Sequence, residues 1–491
     1  MNKDYPRSWE CEKIGDIAEI ITGTTPSKNK PEYYGTYIPF VKPPELLDSV
    51  IHQAHDNLSK EGARKARVLP TNSILVSCIG NLGKTGITSK PIAFNQQINA
   101  LVFPKEIEPR FGFYYFQSSK AKNQLESLAS ATTVAIVNKT KFSTITFPIP
   151  PHDEQLRIVA KIEELFTQLD AGVGELRKAK GQLKRYRQAV LKAAVEGELT
   201  REWREAHRDE LEPASELLER ILAERRAKWE MGGSKGKYKE PASFDTIGLP
   251  KLPEGWVWAS LEQLAWSANY GTSQKCNYEA VGPPVIRIPN INNGRLIFDD
   301  LKFATKPDEL SDDKAIAPHD LLIIRTNGSI DLIGRSALVR IEPENPYYFA
   351  SYLIRYRLLP TSNFSQWVSL IWDSHFVRNW MVIQAATTAG QYNVSVSKLN
   401  GLIFPLPPIK EQERIIDIAN RRLSVADEIE HQLEQGLVRS ERLRQSILKQ
   451  AFEGKLVPQD PKDEPATGLI EQIEAKKKKT AVQLTLMGDQ S

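Results

Sequence analysis

The chain has little of what disulfide-bonded, zinc-binding or membrane proteins depend on. Only three of its 491 residues are cysteine and seven are histidine. Cys11, Cys78 and Cys276 lie far apart, which argues against a disulfide framework or a cysteine-based metal site and fits a reducing cytoplasm. The histidines show no HExxH or paired metal-ligand spacing. No run of 18 apolar residues and no signal peptide is found, so we expect a soluble, cytoplasmic protein without a membrane partner.

The chain also lacks a strong excess of charge of either sign. Lysine and arginine number 65 against 61 aspartate and glutamate, and residues 1–146 hold 18 basic against 13 acidic side chains. This weak basic bias permits nucleic-acid binding but does not require it. A length of 491 residues is too great for one hydrophobic core and indicates three or four structural units.

What the sequence does contain is an internal repeat. "FPIPPHDEQLRIV" begins at Phe147 and "FPLPPIKEQERII" begins at Phe404, 257 residues later. The two copies align without a gap over residues 147–200, share 19 of 54 residues, and run on to "RQAVLKAAVEGEL" and "RQSILKQAFEGKL". Further along, "EPASELLERILAERR" is echoed by "EPATGLIEQIEAKKK". Because an internal repeat decides the architecture, we expect two equivalent halves with equivalent roles.

Each copy of the repeat is predicted to form a long helix. A Pro-Pro pair suits the entry to a helix, and Glu-Gln follows in the first turn. Apolar residues recur every seven positions among many charges, which is typical of a coiled-coil seam. The alternative is that each helix is amphipathic and packs on its own domain. The predicted helix-pairing and partner-binding residues are Glu154, Gln155, Ile162, Leu169, Leu176, Leu183, Arg185, Val190, Glu411, Gln412, Ile429, Leu433, Arg442, Leu443 and Ile447.

The stretches outside the repeats predict globular domains. Short β-type runs such as "SILVS" and "LLIIRT" are broken by Gly, Pro and Asn, which is typical of mixed α/β domains of roughly 150 residues. The predicted organisation is a first globular domain (1–146), a first helical repeat with a following short helix (147–231), a linker (232–250), a second globular domain (251–403), a second helical repeat (404–457), and a C-terminal short helix with a basic tail (458–491). We expect the lysine run 476–479 to be solvated.

This order of elements resembles the specificity subunit of type I restriction-modification systems. The resemblance covers nearly the whole chain and rests chiefly on "PIPPHDEQLRIV" and "PLPPIKEQERII" with the shared residues that follow them. It implies an α+β fold with an internal pseudo-two-fold repeat, in which two mixed α/β target recognition domains are joined by two long helices pairing as an antiparallel coiled coil. One helix over residues 152–197 would span about 70 Å, enough to hold two domains on one face of a duplex.

The resemblance further implies a non-catalytic DNA-binding subunit. Each globular domain would read one half of a bipartite, asymmetric site in double-stranded DNA. The helices would set the gap and dock two methyltransferase subunits, and restriction and translocase subunits would join them. The chain itself would need no cofactor, whereas its partners would use S-adenosylmethionine, ATP and Mg. A coiled-coil scaffold whose domains bind proteins, and not DNA, is the alternative function.

Loops that carry Arg, Lys, Asn, Gln, Ser and Thr are the candidates for DNA contacts, because these side chains match base edges and phosphates. In the first globular domain the candidates are Thr22, Thr24, Thr25, Lys28, Asn81, Lys84, Asn95, Gln96 and Gln97. In the second they are Thr272, Ser273, Lys275, Arg287, Asn290, Asn292, Asn293, Arg295, Arg325, Thr326, Asn327, Ser329, Gln391, Tyr392 and Asn393. Each could instead be an ordinary turn residue, since turns favour the same side chains.

One motif resembles an enzyme site and is rejected. "CIGNLGKT" comes close to the phosphate-binding pattern GxxxxGK[ST], but Cys78 replaces the first glycine and the sequence after it does not predict a helix. The chain has no Ser-His-Asp signature and no NPPY motif of the kind that amino-methyltransferases use. We therefore expect no catalysis and no metal site in this chain.

Overall fold

The computed structural model describes residues 5–130, 134–231, 237–292, 294–340, 342–359, 364–388 and 390–488, with backbone alone for 386–388 and 479–488. These residues form two compact units. Unit 1 contains residues 1–177 and 433–491, and unit 2 contains residues 178–432. Each unit therefore combines one globular domain with the beginning of the long repeat that follows it and the end of the other long repeat.

The first globular domain consists of short strands and helices. Its strands are β1 (Glu10–Lys13), β2 (Glu19–Thr22), β3 (Tyr34–Val41), β4 (Ser49–Ile51), β5 (Asp56–Leu58), β6 (Val68–Leu69), β7 (Ile74–Ser77), β8 (Thr85–Thr88), β9 (Ile92–Phe94), β10 (Ile98–Val102) and β11 (Thr146–Ile149). Its helices are α1 (Ile14–Ile17), α2 (Lys60–Lys65), α3 (Pro109–Gln117), α4 (Ser119–Leu128) and α5 (Lys139–Phe142). The strands form sheets in the orders β2-β10-β7-β8-β4, β5-β3-β9-β6 and β1-β11.

The first repeat supplies three helices. They are the long helix α6 (His152–Val195), the short helix α7 (Arg201–Ala206) and the helix α8 (Ala214–Met231). The strand β11 just before α6 pairs with β1 and carries the fully buried Phe147. The first globular domain thus reaches past residue 146, because the start of the repeat supplies one of its strands.

The second globular domain has more and shorter strands. They are β12 (Val257–Ser260), β13 (Ala265–Tyr270), β14 (Cys276–Asn277), β15 (Pro284–Ile286), β16 (Ile291–Asn292), β17 (Arg295–Leu296), β18 (Lys302–Ala304), β19 (Asp320–Ile324), β20 (Thr326–Asn327), β21 (Ser336–Leu338), β22 (Tyr348–Phe349), β23 (Leu353–Leu358), β24 (Ala386–Thr388), β25 (Gln391–Asn393) and β26 (Ile403–Leu406). Its helices are α9 (Leu261–Leu264), α10 (Phe364–Trp372), α11 (His375–Gln384) and α12 (Val396–Asn400). The chain continues into the long helix α13 (Ile409–Phe452) and then α14 (Ala466–Gly488).

The two globular domains share one topology. The sheet β2-β10-β7-β8 of the first corresponds to β13-β23-β19-β21 of the second, and the pair β1-β11 corresponds to β12-β26. The central strands β7 and β19 are buried along their whole length, which explains their continuous apolar sequences. The mixed α/β fold expected for each domain is confirmed.

Each unit is fastened by a tryptophan bonded to a buried glutamate. In unit 1, Trp9 Nε1 donates to Glu154 Oε2 at 2.9 Å, and in unit 2, Trp256 Nε1 donates to Glu411 Oε2 at 2.7 Å. Both glutamates are 0% exposed. A buried carboxylate without partners is costly, so these bonds fix the start of each globular domain to the first turn of the long helix that follows it.

The same two glutamates also bind the segment that follows the other long helix. Glu154 accepts a hydrogen bond from Gln459, which lies beyond the end of α13. Glu411 accepts from Thr200 Oγ1 at 2.7 Å and from Arg204 Nη1 at 2.6 Å, and both lie beyond the end of α6. Within each unit, the beginning of one long helix therefore lies beside the end of the other.

Two glycines allow the close approach of these segments. Gly197 and Gly454 follow α6 and α13 with φ of +70° and +69°, a conformation that favours glycine. A Cβ at Gly197 would lie 2.7 Å from Pro253 Cγ, and one at Gly454 would overlap the ring of Pro6. Each proline precedes the anchoring tryptophan by three residues. The glycine of the repeated "EG" is thus the point at which each repeat contacts a globular domain.

Ion pairs relate the long helices in the same reciprocal way. Arg187 of α6 pairs with Asp427 of α13 at 2.6 Å in unit 2, and Arg444 of α13 pairs with Asp170 of α6 in unit 1. Arg187 and Arg444 are corresponding residues of the repeat, and so are Asp170 and Asp427. One contact is thus made twice, once within each unit, with the two repeats exchanging roles.

The residue after each of these arginines holds the globular domain of the same unit. Gln445 donates to the carbonyl of Gln117 at 3.3 Å, and Gln188 donates to the carbonyl of Asp373 at 3.1 Å. Gln117 ends α3, and Asp373 follows α10 at the corresponding turn. The shared "RQ" of the repeat therefore combines one contact between helices with one contact to a domain.

The predicted heptad residues lie in several environments. Ile162 and Ile447 are buried, but both belong to the core of unit 1 that includes Trp9 and Phe111. Leu176 lies beside Gly436 of α13. Of the rest, Leu183 and Val190 are buried, Leu169 and Leu433 are partly buried, Arg185 and Arg442 are exposed, and Ile429 and Leu443 are 44% and 50% exposed. The heptad residues near the ends of the long helices therefore pack in the cores of the globular domains. One continuous coiled-coil seam between α6 and α13 stays a prediction.

The repeated Glu-Gln pairs and the basic tail also differ from expectation. Gln155 Nε2 and Gln412 Nε2 donate to the carbonyls of Pro150 and Pro407 at 3.0 and 2.7 Å, so both glutamines fasten the first turn of their own helix. The lysine run is not simply solvated. Lys476 pairs with the buried Glu106, and Lys477 donates to the carbonyl of Asp16 at 2.8 Å.

Replacing Gly454 or Gly197 with alanine is expected to lower the free energy of unfolding by at least about 1 kcal/mol, because each new Cβ meets a proline ring in a left-handed backbone. Gly181→Ala is the control. Gly181 lies inside α6 with no atom near its Cβ position, so alanine should stabilise the helix by up to about 1 kcal/mol. Denaturant unfolding of the full chain measures the three variants. Similar effects at all three positions would contradict the packing role.

Replacing Glu154 with glutamine is expected to make stability less dependent on pH. Burial raises the pKa of Glu154 above its ordinary 4.5, although hydrogen bonds from Trp9 and Gln459 oppose the rise. The folded chain then holds a proton that the unfolded chain releases, so the stability contributed by this group falls as the pH rises through the folded pKa. The free energy of unfolding, measured with denaturant from about pH 4.5 to 8, should rise for Glu154→Gln relative to the wild type as the pH increases. A constant difference between variant and wild type would contradict this.

Candidate nucleic-acid interface

The candidate residues of the first globular domain lie in three loops that contact one another. Gly23 N donates to the carbonyl of Ile98 at 3.2 Å, and Cys78 N donates to the carbonyl of Gln97 at 2.9 Å. Thr25 Oγ1 donates to Gln96 Oε1. These bonds join residues 22–28, 78–84 and 95–97 into one surface, which we name the first loop cluster.

The side chains of the first loop cluster differ in accessibility. Asn95 is buried and donates to Gln97 Oε1 at 3.0 Å, so it holds its own loop. A Cβ at Gly23 would overlap the carbonyl of Asn95, which explains the glycine where these loops meet. Lys28, Asn81 and Gln96 are exposed, and Thr22, Thr24, Thr25, Lys84 and Gln97 are partly buried.

One basic residue at this surface, Arg67, is not among the predicted DNA contacts. Arg67 is exposed, its backbone N–H donates to Thr24 Oγ1 at 3.0 Å, and its guanidinium donates to the carbonyl of Thr22 at 2.5 Å. The run "ARKAR" was the available signal, but nothing in its spacing indicated which of its cations lies beside the loop that follows β2.

A corresponding surface forms in the second globular domain. Strand β20 pairs with β25 in the register Thr326 opposite Asn393 and Asn327 opposite Tyr392. This pairing brings "RTNGS" and "GQYN" together. Ser351 connects them to a third loop, because its carbonyl accepts from Arg325 Nη1 at 3.4 Å and its N–H donates to the carbonyl of Thr272 at 2.8 Å.

We name residues 270–275, 325–329 and 391–393 the second loop cluster. Among the predicted DNA contacts in it, Ser273, Lys275, Ser329 and Gln391 are exposed. Its partly buried members are Thr272, Arg325, Thr326, Asn327, Tyr392 and Asn393. Tyr270, which was not predicted, is also exposed, and the centre of its ring lies 4.5 Å from the guanidinium of Arg325. Its position just before the predicted loop "GTS" is the sequence feature that could have identified it.

Two candidates of the second domain have structural roles. Asn290 is 1% exposed, and its amide donates to the carbonyls of Ile297 and Asp299 at 3.1 and 2.8 Å. Arg287 donates its backbone N–H to Asn290 Oδ1 at 2.9 Å and pairs with Asp300 at 3.0 Å. Asn290 therefore has a structural role, because its polar atoms are buried against the backbone that they fasten, and its contact with DNA stays a prediction.

The first domain repeats this arrangement with other residues. Lys42 donates its backbone N–H to Glu45 at 2.7 Å and pairs with Asp56. "KPPE" and "RIPN" therefore form the same turn at the same place in each fold. A comparison of the two halves, more than residue type, would have marked Arg287 and Asn290 as structural.

The remaining candidates lie on a separate hairpin. Asn292 and Arg295 are exposed and face each other across β16 and β17. The hairpin contacts β21 through a hydrogen bond from Leu338 N to the carbonyl of Gly294 at 3.3 Å. Asn293 lies outside the described residues. Asn292 and Arg295 stay predicted DNA contacts on a surface outside the second loop cluster.

The rejected phosphate-loop motif is followed by a strand. Residues 78–84 lead into β8 (Thr85–Thr88), so no helix N-terminus stands behind the loop. Burial raises the pKa of the Cys78 thiol to about 12, which keeps it neutral. Within the described part of the chain, no three or more His, Cys, Asp and Glu side chains group to hold a metal ion. No helix in the same residues is both long and apolar enough to cross a membrane.

Comparisons with known proteins identify the class of protein that carries these two clusters. The profile described as "Type I restriction modification DNA specificity domain" matches residues 6–175 and 253–439. These matches cover more than half of the chain and include both loop clusters. The chain therefore belongs to the family of type I restriction-modification specificity subunits, which are non-catalytic and recognise DNA sequence.

Two curated relatives match along almost their entire length. The chain is 25% identical to the type I restriction enzyme EcoKI specificity subunit of Escherichia coli (strain K12) over 492 residues, 96% of each chain. It is 26% identical to the StySPI specificity subunit of Salmonella potsdam over 500 residues, 97% of each chain. A solved chain from a structure of "the type I R-M system" is similar to this protein with a TM-score of 0.61 at 17% identity. The match covers 92% of this protein and 99% of the solved chain. That likeness supports the fold.

Asn290→Ala is expected to lower the free energy of unfolding by about 1–3 kcal/mol, because it leaves buried backbone groups without partners. Asn292→Ala, two residues away on the exposed hairpin, should change it by less than about 0.5 kcal/mol. Denaturant unfolding of both full-length variants tests the assignment. An equal loss for both would show that Asn290 is no more structural than its exposed neighbour.

Proposed function

We propose that this chain reads a bipartite, asymmetric site in double-stranded DNA, one half with each loop cluster. The observation that supports this most is the repetition of one scaffold with two different sets of polar side chains. The first loop cluster contains Thr22, Asn81 and Gln96, whereas the second contains Tyr270, Arg325 and Tyr392. Different side chains on one frame match different base edges, so the two half-sites differ in sequence.

The long helices set the gap between the half-sites in this proposal. Helices α6 and α13 have the same length of 44 residues, about 66 Å at 1.5 Å per residue. We propose that they pair as an antiparallel coiled coil along their length. The reciprocal Arg-Asp pairs and the contact of Leu176 with Gly436 support this.

The helices also dock the partner subunits in this proposal. Specificity subunits of type I systems assemble with the other subunits of the complex. We propose two methyltransferase subunits, one for each half of the pseudo-two-fold repeat, with restriction and translocase subunits joining them. The exposed Val425, Ile429, Val438 and Leu443 of α13 are apolar side chains that a partner would cover.

The chemistry belongs to the partners in this proposal. The methyltransferase subunits would use S-adenosylmethionine to methylate adenine on both strands, and the restriction subunits would use ATP and Mg. The chain itself would bind no cofactor and would act on DNA in the cytoplasm. Its contribution to the reaction is the choice of site.

Sequencing of methylated bases in cells that express the chain with its methyltransferase tests the proposal. The wild type should yield one split, asymmetric motif methylated on both strands. Gln96→Ala should relax one half of the motif and Asn327→Ala the other, because each removes a side chain from a different cluster; each mismatched contact is worth about 1–3 kcal/mol. Both variants should keep the gap.

Two results would contradict the proposal. Absence of any new motif, with an active methyltransferase shown to bind the chain, would remove site choice from this subunit. Relaxation of both halves by either single variant would mean that the two clusters do not read independently.

A further inference from the structure

The two globular domains differ most sharply at one corresponding position. Cys78 follows β7 in the first domain, and Arg325 follows β19 in the second. The backbone contacts match, because Val137 N donates to the carbonyl of Cys78 and Val394 N donates to the carbonyl of Arg325, both at 2.9 Å. One scaffold position thus carries a small, neutral, buried side chain in one domain and a cation in the other.

The residue that lies beside this position also differs between the two domains. Thr22 ends β2 in the first domain, and Tyr270 ends β13 in the second, each followed by glycine and threonine. In the first domain the Asn99 amide donates to Cys78 Sγ at 3.3 Å, and Thr22 Oγ1 donates to Asn99 Oδ1 at 2.6 Å. In the second, the guanidinium of Arg325 lies over the ring of Tyr270 at 4.5 Å.

The surroundings of Arg325 hold the guanidinium without neutralising it. Nε donates to Asn393 Oδ1 at 3.3 Å and Nη1 donates to the carbonyl of Ser351 at 3.4 Å, and both acceptors are uncharged. The Tyr270 ring is itself held, because its hydroxyl accepts from Val396 N at 3.2 Å. No ion pair of the described residues includes Arg325, whereas Arg287 and Arg357 of the same domain pair with Asp300 and Asp320.

A fixed, partly exposed guanidinium with free donors fits one base edge in particular. Among the side-chain hydrogen bonds of the described residues, none uses Nη2 of Arg325. Guanine presents two acceptors, O6 and N7, in the major groove, and arginine binds them through two parallel N–H groups. Stacking on an aromatic ring reduces the freedom that the side chain would lose on binding.

We propose that Arg325, held on Tyr270, reads a guanine in the half-site of the second domain and that the corresponding position of the first domain makes no such contact. This inference rests on the proposed function and adds the identity of one base and the residue that selects it. A phosphate contact by the same cation is the competing role, and it carries no sequence information.

Methylated-base sequencing with Arg325 variants of the full chain, expressed with its methyltransferase, tests the proposal. The wild-type half-site that Asn327→Ala relaxes should contain a required G·C pair. Arg325→Gln should lower discrimination at that pair about 5- to 150-fold, with adenine entering, because a glutamine amide matches adenine N6 and N7. The other half-site should be unchanged.

Three further variants separate base reading from charge and folding. Arg325→Lys keeps the charge but loses the two-pronged geometry, so it should relax the same position. Tyr270→Leu should do so to a smaller extent, because the guanidinium keeps its donors but loses its platform. Arg226→Gln is the matched control, since Arg226 also lies over a tyrosine ring, that of Tyr238, but on α8. It should leave the motif unchanged.

The outcomes distinguish this inference from the proposed function. A wild-type motif in which the second half-site has no required G·C pair would overturn it. So would Arg325 variants that keep every motif position while methylation falls equally at all sites, which would identify a phosphate contact. A wild type that produces no split motif would instead overturn the proposed function itself.

Discussion

The buried glutamate at the start of each long helix is the contact on which the rest of the structure depends. Glu154 and Glu411 are shut off from water, so each needs donors, and the donors come from two distant parts of the chain. One is the tryptophan that begins a globular domain, and the other belongs to the segment that follows the other long helix. A single electrostatic requirement thus fixes the domain, the start of one helix and the end of the other.

The internal repeat contains two copies of this arrangement, one in each unit. Several residues shared between the copies have a partner in the other half of the chain: the glutamates bind the segment that follows the other long helix, the "RQ" pair binds a helix and a domain, and the glycines admit proline rings. Residues that are free to differ lie in the loop clusters. The frame is therefore repeated because its contacts are reciprocal, whereas the exposed side chains of the loop clusters differ between the two halves.

Much of the fold could be predicted from the sequence, and less of the site. Apolar runs such as "LLIIRT" predict buried strands, and the Pro-Pro entry predicts both long helices close to their observed starts at His152 and Ile409. The candidate DNA contacts could be chosen only by residue type and loop position, and asparagine and arginine serve turns and bases alike. Asn290 and Arg287 satisfy a turn, Arg67 and Tyr270 were overlooked, and only the tertiary contacts separate these cases.

The sequence by itself determined that the chain has two equivalent halves, each a mixed α/β domain with a long helix, because repetition and periodicity are local properties of the chain. Tertiary structure alone decided which half each helix end joins. Unit 1 combines the first 177 residues with residues 433–491 from the end of the chain, whereas unit 2 is the continuous segment 178–432. Contacts between residues hundreds of positions apart, such as Trp9 beside Gly454, depend on burial and hydrogen bonding that no local pattern records.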